Sequence, residues 1–268
     1  MSIIIKTQAQ IDLMRISCKL AAEVLDYIEP YVKPGVTTLE LDKLCHDYIV
    51  NEQKAYPSPL NYQPNPKGPA YPNSICTSVN AEICHGIPND KPLKNGDIVN
   101  LDITVYKNGV HGDTSRTYLV GDKVTPQAKR LVQITYECMW LGINQVKPGN
   151  YLGDIGHAIQ IHAEKNAYSV VQEFCGHGIG EGFHEDPQVL HYGKAKTGPQ
   201  LQAGMIFTIE PMINQGKRAV RFSSNGWTAL TKDRSLSAQF EHTILVTPDG
   251  YEVLTISPNM PAIPDFIK

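Results

Sequence analysis

Three carboxylates occupy runs of the chain that are otherwise patterned as β-strands with one apolar face. They are Asp102 in the run 98–105, Glu210 in the run 205–210 and Glu241 in the run 240–246. Side chains alternate between the two faces of a strand, so each acid shares a face with polar neighbours while the apolar residues share the other. An uncompensated buried charge costs several kcal/mol or more. We therefore expect a cation to lie against these acidic faces.

A fourth acid, Asp113, is brought to the same surface by a hairpin. If Asn108 and Gly109 are the central residues of a two-residue turn, Thr104 pairs with Asp113 across the two strands. Asp113 then shares the face of Asp102 and is its diagonal neighbour. Two carboxylates about 6 Å apart repel by roughly 3 kcal/mol at an effective dielectric constant of ~20. The other two acids add to this repulsion, so protons or metal ions must compensate for it.

Two histidines in a glycine-rich segment supply nitrogen donors. His177 and His184 are interleaved with glycines at positions 176, 178, 180 and 182. Such glycine density lets the backbone approach a ligand closely, and a neutral imidazole is a good ligand for first-row metals. We interpret the other isolated histidines as core or solvated side chains: His46, His111, His157, His162, His191 and His242.

The donor set indicates the kind of metal and the kind of reaction. Four carboxylates and one imidazole are rich in oxygen, whereas closed structural zinc sites prefer sulfur and nitrogen. The set suits two divalent ions of the Mn²⁺, Fe²⁺ or Co²⁺ kind, bridged by carboxylates and water. Such a pair generates hydroxide near neutral pH and polarises a carbonyl group, so the sequence predicts metal-assisted hydrolysis. The affinity order of the metals does not tell which ion is used.

Helices and hairpins must position these side chains. A capping box at 7–10 opens a predicted helix that ends near 30, and a second box at 37–40 opens one that ends near 50. Further helices are predicted from 125 and over 152–166. A proline-rich irregular loop is predicted over 55–74, and strands from about 205 to 256. Helices and strands do not alternate as βαβ units, so an α+β fold is predicted.

The chain also contains an internal repeat. Three patterns recur in the same order: VKPG at 32–35 and 146–149, HGI at 85–87 and 177–179, and LxxGxIxx followed by Leu or Ile and an acid at 93–102 and 201–210. The repeat predicts two pseudo-symmetric halves, approximately 30–120 and 145–256, within a single catalytic domain over 1–268. Sites are expected at the junction of the halves.

Composition argues against several classes of partner. A hydrophobic content of 41% and a net charge of −3 are typical of a soluble globular protein, and no basic excess indicates specific nucleic-acid binding. The start of the chain is too short for a signal-peptide core, and no apolar stretch approaches ~18 residues, so no membrane partner is expected. The six cysteines show no CxxC spacing, which favours a reducing, cytoplasmic location.

At these residues the chain resembles the type I methionine aminopeptidases. The resemblance covers nearly the whole chain and rests on seven ordered motifs: 78–88 (SVNAEICHGIP), 96–102 (GDIVNLD), 111–115 (HGDTS), 175–180 (CGHGIG), 183–189 (FHEDPQV), 208–212 (TIEPM) and 233–243 (DRSLSAQFEHT). It implies the pita-bread (creatinase/aminopeptidase-like) fold of two pseudo-symmetric halves. The reaction implied is removal of the initiator methionine from the N-terminus of nascent polypeptides whose second residue is small. A monomer is expected, and a transient contact with the ribosome is left open.

The resemblance also assigns the metal ligands. Asp102, Asp113, His177, Glu210 and Glu241 match the five ligands of the family, with Asp113 and Glu241 bridging the two ions. Asp102 would hold one ion, and His177 with Glu210 the other. Glu210 would also help to take the proton from the attacking water.

Substrate-binding residues follow from the same resemblance. His85 would assist binding and protonation around the scissile amide, and His184 would hydrogen-bond the substrate carbonyl. An apolar pocket for the methionine thioether would be lined by Tyr62, Tyr71, Cys76, Phe183 and Trp227. The run 63–70 is an insertion between the two tyrosines relative to the short bacterial pattern. It is either a tolerated surface loop or a change to the pocket entrance.

Two other functions are compatible with the same scaffold. Proline-specific dipeptidases and aminopeptidases share the fold, but they usually carry an extra N-terminal domain for which this chain offers no room. A non-catalytic module that binds ribosomes or RNA is the alternative from another class. The intact ligand positions argue against it.

Overall fold

The two predicted capping boxes open the first two helices. In the first, the backbone N–H of Thr7 donates to the side chain of Gln10 at 2.9 Å, and the Gln10 N–H donates to the Thr7 hydroxyl at 3.3 Å. Thr37 and Glu40 make the same reciprocal pair at 2.7 and 3.1 Å. Because each box satisfies N–H groups that have no partner inside the helix, it fixes where the helix begins.

The computed structural model describes residues 2–267, and within that range four α-helices are present. They are α1 (Gln8–Ile28), α2 (Thr38–Asp47), α3 (Pro126–Ile143) and α4 (Leu152–Lys165). All four were predicted. The predicted end of α2 near residue 50 is about three residues late for the α-helix, because the chain continues from it as a π-helical turn over Tyr48–Glu52. None of the helices in the described range is both long and apolar enough to cross a bilayer.

Fifteen strands are found in residues 2–267, most of them short. They are β1 (Tyr56–Pro57), β2 (Cys76–Val79), β3 (Glu82–Cys84), β4 (Ile98–Lys107), β5 (Val110–Leu119), β6 (Ser169–Val170), β7 (Gly176–Gly178), β8 (Glu185–Val189), β9 (Ile206–Ile209), β10 (Met212–Asn214), β11 (Val220–Phe222), β12 (Ala229–Thr231), β13 (Ser237–Gln239), β14 (His242–Val246) and β15 (Tyr251–Val253). The mixture of helices and antiparallel strands is the predicted α+β architecture.

The long hairpin β4–β5 organises the first sheet. Its register pairs Thr104 with Asp113 and Lys107 with Val110, as the Asn-Gly turn predicted. β4 also pairs with the short strands β1 and β2. On the apolar face of β4, the side chains at 99, 101, 103 and 105 are buried in one cluster with residues of α1 and α2. The alternation predicted for this strand is therefore confirmed.

A second sheet has the strand order β15-β14-β9-β7-β8, and two three-stranded sheets lie beside it, β13-β10-β6 and β11-β12-β3. Phe207 and Ile209 of β9 pack with α3 and α4 in the largest hydrophobic cluster. The two main sheets are joined where Ser115 of β5 and Glu241 form an isolated antiparallel bridge, with N–H to carbonyl distances of 3.1 and 3.4 Å. This bridge places the acidic face of β4–β5 against the second sheet.

Two of the three acid-bearing strands are shorter than predicted. Glu210 follows the last residue of β9, and Glu241 lies in a break between β13 and β14. The break arises because β13 pairs with β10 whereas β14 pairs with β9, so the chain changes sheets at residues 240–241. The expectation that all three acids lie inside continuous strands is therefore wrong for Glu210 and Glu241.

Candidate metal centre and surrounding cavity

A cavity of about 430 Å³ lies at the junction of the sheets. Every side chain that the sequence selected as a site residue lines it: Tyr62, Tyr71, Cys76, His85, Asp102, Asp113, His177, Phe183, His184, Glu210, Trp227 and Glu241. These residues come from widely separated parts of the chain, so the fold has brought them together. The carboxylates occupy one part of the wall and the aromatic rings another.

Asp113, His177 and Glu241 form the tightest cluster of metal-binding atoms. Each offers one ligand atom, and the three atoms lie within 4.8 Å of one another on buried side chains. His177 Nε2 is also 3.8 Å from Asp113 Oδ2 and 3.7 Å from Glu210 Oε1. These separations are too long for hydrogen bonds. They leave a gap, lined by oxygen and nitrogen, of a size that a divalent cation can occupy.

The two other acids adjoin this cluster. The Asp102 carboxyl group adjoins that of Asp113, its diagonal neighbour across the hairpin, and besides burial this contact raises the pKa of Asp113. Glu210 is held by the Thr208 hydroxyl, which donates to its Oε1 at 2.7 Å, and by Gln239 Nε2, which donates to its Oε2 at 3.3 Å. The fold thus places all five sequence-predicted ligands around one space.

Burial raises the pKa of each of the four carboxyl groups, and repulsion from neighbouring acids adds to this for Asp113, Glu210 and Glu241. Burial is the main cause for Asp102, whose pKa rises to about 7, and for Glu210, whose pKa rises to about 8. Burial and then the neighbouring acids raise the pKa of Asp113 and of Glu241 well above the usual range. Within residues 2–267, none of the four forms an ion pair with lysine or arginine. In this part of the chain the four acids therefore lack a compensating positive charge, as the sequence predicted, and divalent cations would supply it.

His177 presents a lone pair to this gap. Its Nδ1 lies 2.9 Å from the carbonyl oxygen of Gly178, so Nδ1 carries the proton and donates, which leaves Nε2 free to bind a cation. Burial lowers the pKa of His177 to about 4, so the ring is neutral at pH 7. This is the tautomer and charge state that a metal-binding histidine requires.

His85 and His184 lie beside the acids without joining the cluster. Burial lowers the pKa of His85 to about 4 and that of His184 to about 2, so both rings are neutral at pH 7. The Tyr62 hydroxyl is 2.8 Å from His184 Nδ1 and orients that ring. His85 has a left-handed backbone (φ 54°), and a Cβ at Gly86 would come within 2.0 Å of the Thr77 carbonyl oxygen. Only glycine therefore fits at position 86, next to His85.

Aromatic side chains form the apolar part of the cavity. The Tyr71 and Trp227 rings meet edge to face at 5.2 Å, and the Tyr62 and Phe183 rings lie 4.9 Å apart. The buried Tyr71 hydroxyl donates to the carbonyl oxygen of Gly86 at 2.8 Å and lies 3.1 Å from that of Ile75. Cys76 completes this region with a small, neutral thiol whose pKa burial raises well above its usual value.

The insertion over 63–70 contributes to the wall. Pro64 lines the cavity, and Trp227 Nε1 donates to the carbonyl oxygen of Pro69 at 3.0 Å. Of the two interpretations offered for this segment, a change to the pocket entrance agrees with these contacts. Tyr62, which precedes the insertion, also reaches the site.

Several residues that support the site were not singled out from the sequence. Phe174 lines the cavity and packs edge to face on His85 at 5.4 Å. His191 is fully buried, as expected of a core histidine, but its Nε2 accepts the backbone N–H of Glu210 at 3.1 Å. His111 stacks on Phe183 at 5.3 Å. An isolated histidine or a loop phenylalanine has no sequence signal that separates these roles from ordinary packing.

A buried ion pair anchors the glycine-rich segment that carries the two site histidines. Lys6 Nζ lies 2.5 Å from Glu185 Oε2, and the two side chains are 3% and 11% exposed. The other oxygen of Glu185 accepts the Gly182 N–H at 2.8 Å. The N-terminal segment thereby fixes the turn between His177 and His184.

Replacing Lys6 with alanine is expected to lower the free energy of unfolding by about 3 kcal/mol, because it leaves a buried carboxylate without its partner. Urea denaturation measures the change. Lys19→Ala is the matched control, since Lys19 is 74% exposed and lies 3.9 Å from Glu23; it should cost less than about 1 kcal/mol. Equal stabilities for the two variants would contradict this role of Lys6.

Comparison with known proteins gives a consistent family assignment. The model of metallopeptidase family M24 matches residues 12–248. The methionine aminopeptidase of Escherichia coli K12 is 56% identical over 257 residues, which are 96% of this chain and 95% of that protein. The crystal structure of methionine aminopeptidase from Rickettsia prowazekii superposes with a TM-score of 0.91 at 56% identity, covering 95% of this chain and all of the other. A Xaa-Pro dipeptidase from Bacillus anthracis shares the fold at 24% identity and a TM-score of 0.70, with 63% of its length covered.

Proposed function

The chain belongs to metallopeptidase family M24, and from this premise we propose that the cavity is the active site at which it removes the N-terminal methionine of polypeptides. The chain is a metal-dependent aminopeptidase with the pita-bread fold. The observation that carries the assignment of the site is the convergence of Asp113, His177 and Glu241, whose ligand atoms lie within 4.8 Å of one another.

The five clustered residues fit a pair of divalent ions. We assign Asp102, Asp113, His177, Glu210 and Glu241 as the residues that would hold them, since three of these converge tightly; the family resemblance implies that Asp113 and Glu241 would be shared by both ions. Co²⁺, Mn²⁺ and Fe²⁺ all suit a set of carboxylates and one imidazole. Ions bound there supply Lewis acidity and lower the pKa of water toward neutrality.

Protons and hydrogen bonds are then handled by side chains around the ligands. Glu210, whose Oε1 accepts the Thr208 hydroxyl at 2.7 Å, is held where its carboxylate can accept the proton of an attacking water. His184 is oriented by Tyr62 and can donate a hydrogen bond to the carbonyl oxygen of the substrate. His85 is neutral, so it can donate to the scissile amide while its Phe174 contact keeps the ring in place. We assign these three as the catalytic residues.

The aromatic part of the cavity suits the methionine side chain. Sulfur lies favourably against ring edges. The apolar part of the cavity is lined by the rings of Tyr62, Tyr71, Phe183 and Trp227 together with Cys76. The requirement for a small second residue rests on the family resemblance. We further propose that the chain acts in the cytoplasm as a monomer on nascent polypeptides, with at most a transient contact with the ribosome.

Peptide hydrolysis tests this function against its alternatives. The Mn²⁺-loaded protein should release methionine from Met-Ala-Ser, act much more slowly on Met-Leu-Ser, and leave Ala-Pro intact. Addition of EDTA should stop the reaction and Mn²⁺ or Co²⁺ should restore it. Faster turnover of Ala-Pro would favour a proline-specific enzyme, and absence of any turnover would favour a non-catalytic binding module.

A further inference from the structure

A continuous series of aromatic contacts leads from the cavity to the protein surface. Trp227 and His85 meet edge to face at 6.3 Å, His85 and Phe174 at 5.4 Å, and Phe174 and Phe222 at 6.2 Å. Phe174 lines the cavity, whereas Phe222 is 64% exposed, more than any other large apolar residue whose side chain the structure describes. Burying an aromatic ring is favourable, so an exposed ring in contact with the wall of an active site can bind part of the substrate.

Strand pairing fixes the exposed ring relative to the catalytic residues. Phe222 of β11 pairs with Ala229 of β12, and Ala229 pairs with Cys84 of β3. Cys84 directly precedes His85. Neighbouring strands lie about 4.8 Å apart, so Phe222 sits two strand spacings, or about 10 Å, from the segment that carries His85. The position of Phe222 is therefore set by the sheet and does not depend on a free loop.

We propose that Phe174 and Phe222 form a shelf that binds the third and fourth residues of the polypeptide substrate and favours apolar side chains there. The proposal rests on the function proposed above, in which His85 contacts the amide between residues one and two. An extended peptide advances about 3.3 Å per residue. The ring of Phe174, 5.4 Å from His85, is then within reach of the third residue, and Phe222, a further 6.2 Å away, is within reach of the fourth.

His85 contacts both the methionine pocket, through Trp227, and the shelf, through Phe174. Tyr71 and Trp227 pack against each other on the pocket side, whereas Phe174 and Phe222 continue outward. An apolar residue on the shelf would cover part of an exposed ring, whereas a serine there would leave it in water. Covering about half of an apolar side chain corresponds to roughly a fivefold gain in kcat/KM.

Competition among tetrapeptides tests the shelf. For the Mn²⁺-loaded protein, kcat/KM for Met-Ala-Phe-Ser and Met-Ala-Ser-Phe should each exceed that for Met-Ala-Ser-Ser by about fivefold, chiefly through KM. In Phe222→Ser the advantage of Met-Ala-Ser-Phe should disappear, and Phe222→Leu should retain part of it. Ile161→Ser is the matched control, since Ile161 is 54% exposed on α4 and does not line the cavity; its selectivity should equal that of the unmodified protein.

The outcomes separate the shelf from the function on which it rests. Cleavage of all three peptides with equal kcat/KM would overturn the shelf and leave the aminopeptidase assignment intact. An advantage of Met-Ala-Ser-Phe that survives in Phe222→Ser would overturn it as well, because the preference at the fourth residue would then arise elsewhere. Failure to cleave any of the peptides would contradict the proposed function itself.

Discussion

Replacing His177 with alanine is expected to abolish metal-dependent turnover while leaving the fold intact. The change removes the Nε2 atom that faces Asp113 and Glu210, and with it the nitrogen donor of the tight cluster. Loss of a partner that merely orients a metal ligand already lowers affinity or activity by ~10–100-fold, so loss of a ligand should exceed that range. The ring borders the cavity, so its removal enlarges the cavity and opens no void in the hydrophobic core.

Two other histidine variants make this result specific. His85→Ala should lower turnover and retain bound metal, because His85 lies outside the cluster. His157→Ala should change neither, since His157 does not line the cavity and its Nδ1 contacts the Gly193 carbonyl oxygen at 3.2 Å. Metal content and kcat/KM of the three variants are the measurements. Full activity in His177→Ala, or loss of metal from His85→Ala, would show that the assigned roles are wrong.

Replacing Asp102 with asparagine is expected to stabilise the metal-free protein and to inactivate the metal-loaded one. Besides burial, contact with Asp102 raises the pKa of Asp113, and the same contact lowers the pKa of Asp102, so Asp113 holds the proton and the Asp102 carboxylate accepts its hydrogen bond; the carbonyl oxygen of an asparagine can accept in the same way. The substitution therefore removes one charge from a crowded site and keeps the hydrogen bond. Activity should fall by more than ~100-fold, because a ligand oxygen is lost.

The gain in stability should depend on pH in a defined direction. Burial raises the pKa of Asp102 from about 3.9 in the unfolded chain to about 7 in the fold. A carboxyl group with a raised pKa stabilises the fold fully below the unfolded value, and this contribution is lost as pH rises through the folded value. The unmodified protein therefore loses stability between about pH 4 and pH 7, and Asp102→Asn does not.

Urea denaturation in EDTA at pH 5 and pH 8 measures this effect. Asp102→Asn should exceed the unmodified protein by about 4 kcal/mol at pH 8 and by clearly less at pH 5. Asp12→Asn is a suitable control, because Asp12 has an exposed side chain and pairs with Arg15 on the surface. A variant that is less stable than the unmodified protein at both pH values would contradict the proposed repulsion among the acids.

Local sequence signals predicted the elements that local chemistry determines. The capping boxes at Thr7 and Thr37 and the Asn-Gly turn before Val110 each satisfy or constrain neighbouring backbone groups, so their outcome does not depend on distant parts of the chain. The register of the hairpin then followed, and with it the placement of Asp113 beside Asp102. Alternation identified the apolar face of β4 for the same reason.

Long-range pairing determined the features that the sequence did not predict. Glu241 lies in a break between two strands because the chain changes partners there, and the partner strands are distant in sequence. Phe174 and Pro64 reach the cavity through loops whose paths depend on tertiary contacts such as that between Trp227 and Pro69. The division of the single domain into two related halves stays a prediction from the internal repeat.

The most direct measurement is anomalous diffraction from crystals of the protein grown with Mn²⁺. Two peaks are expected in the cavity, both in contact with Asp113 and Glu241, with Asp102 beside one and His177 and Glu210 beside the other. A map without peaks at these side chains, obtained from protein that hydrolyses Met-Ala-Ser, would contradict the assignment of the metal centre.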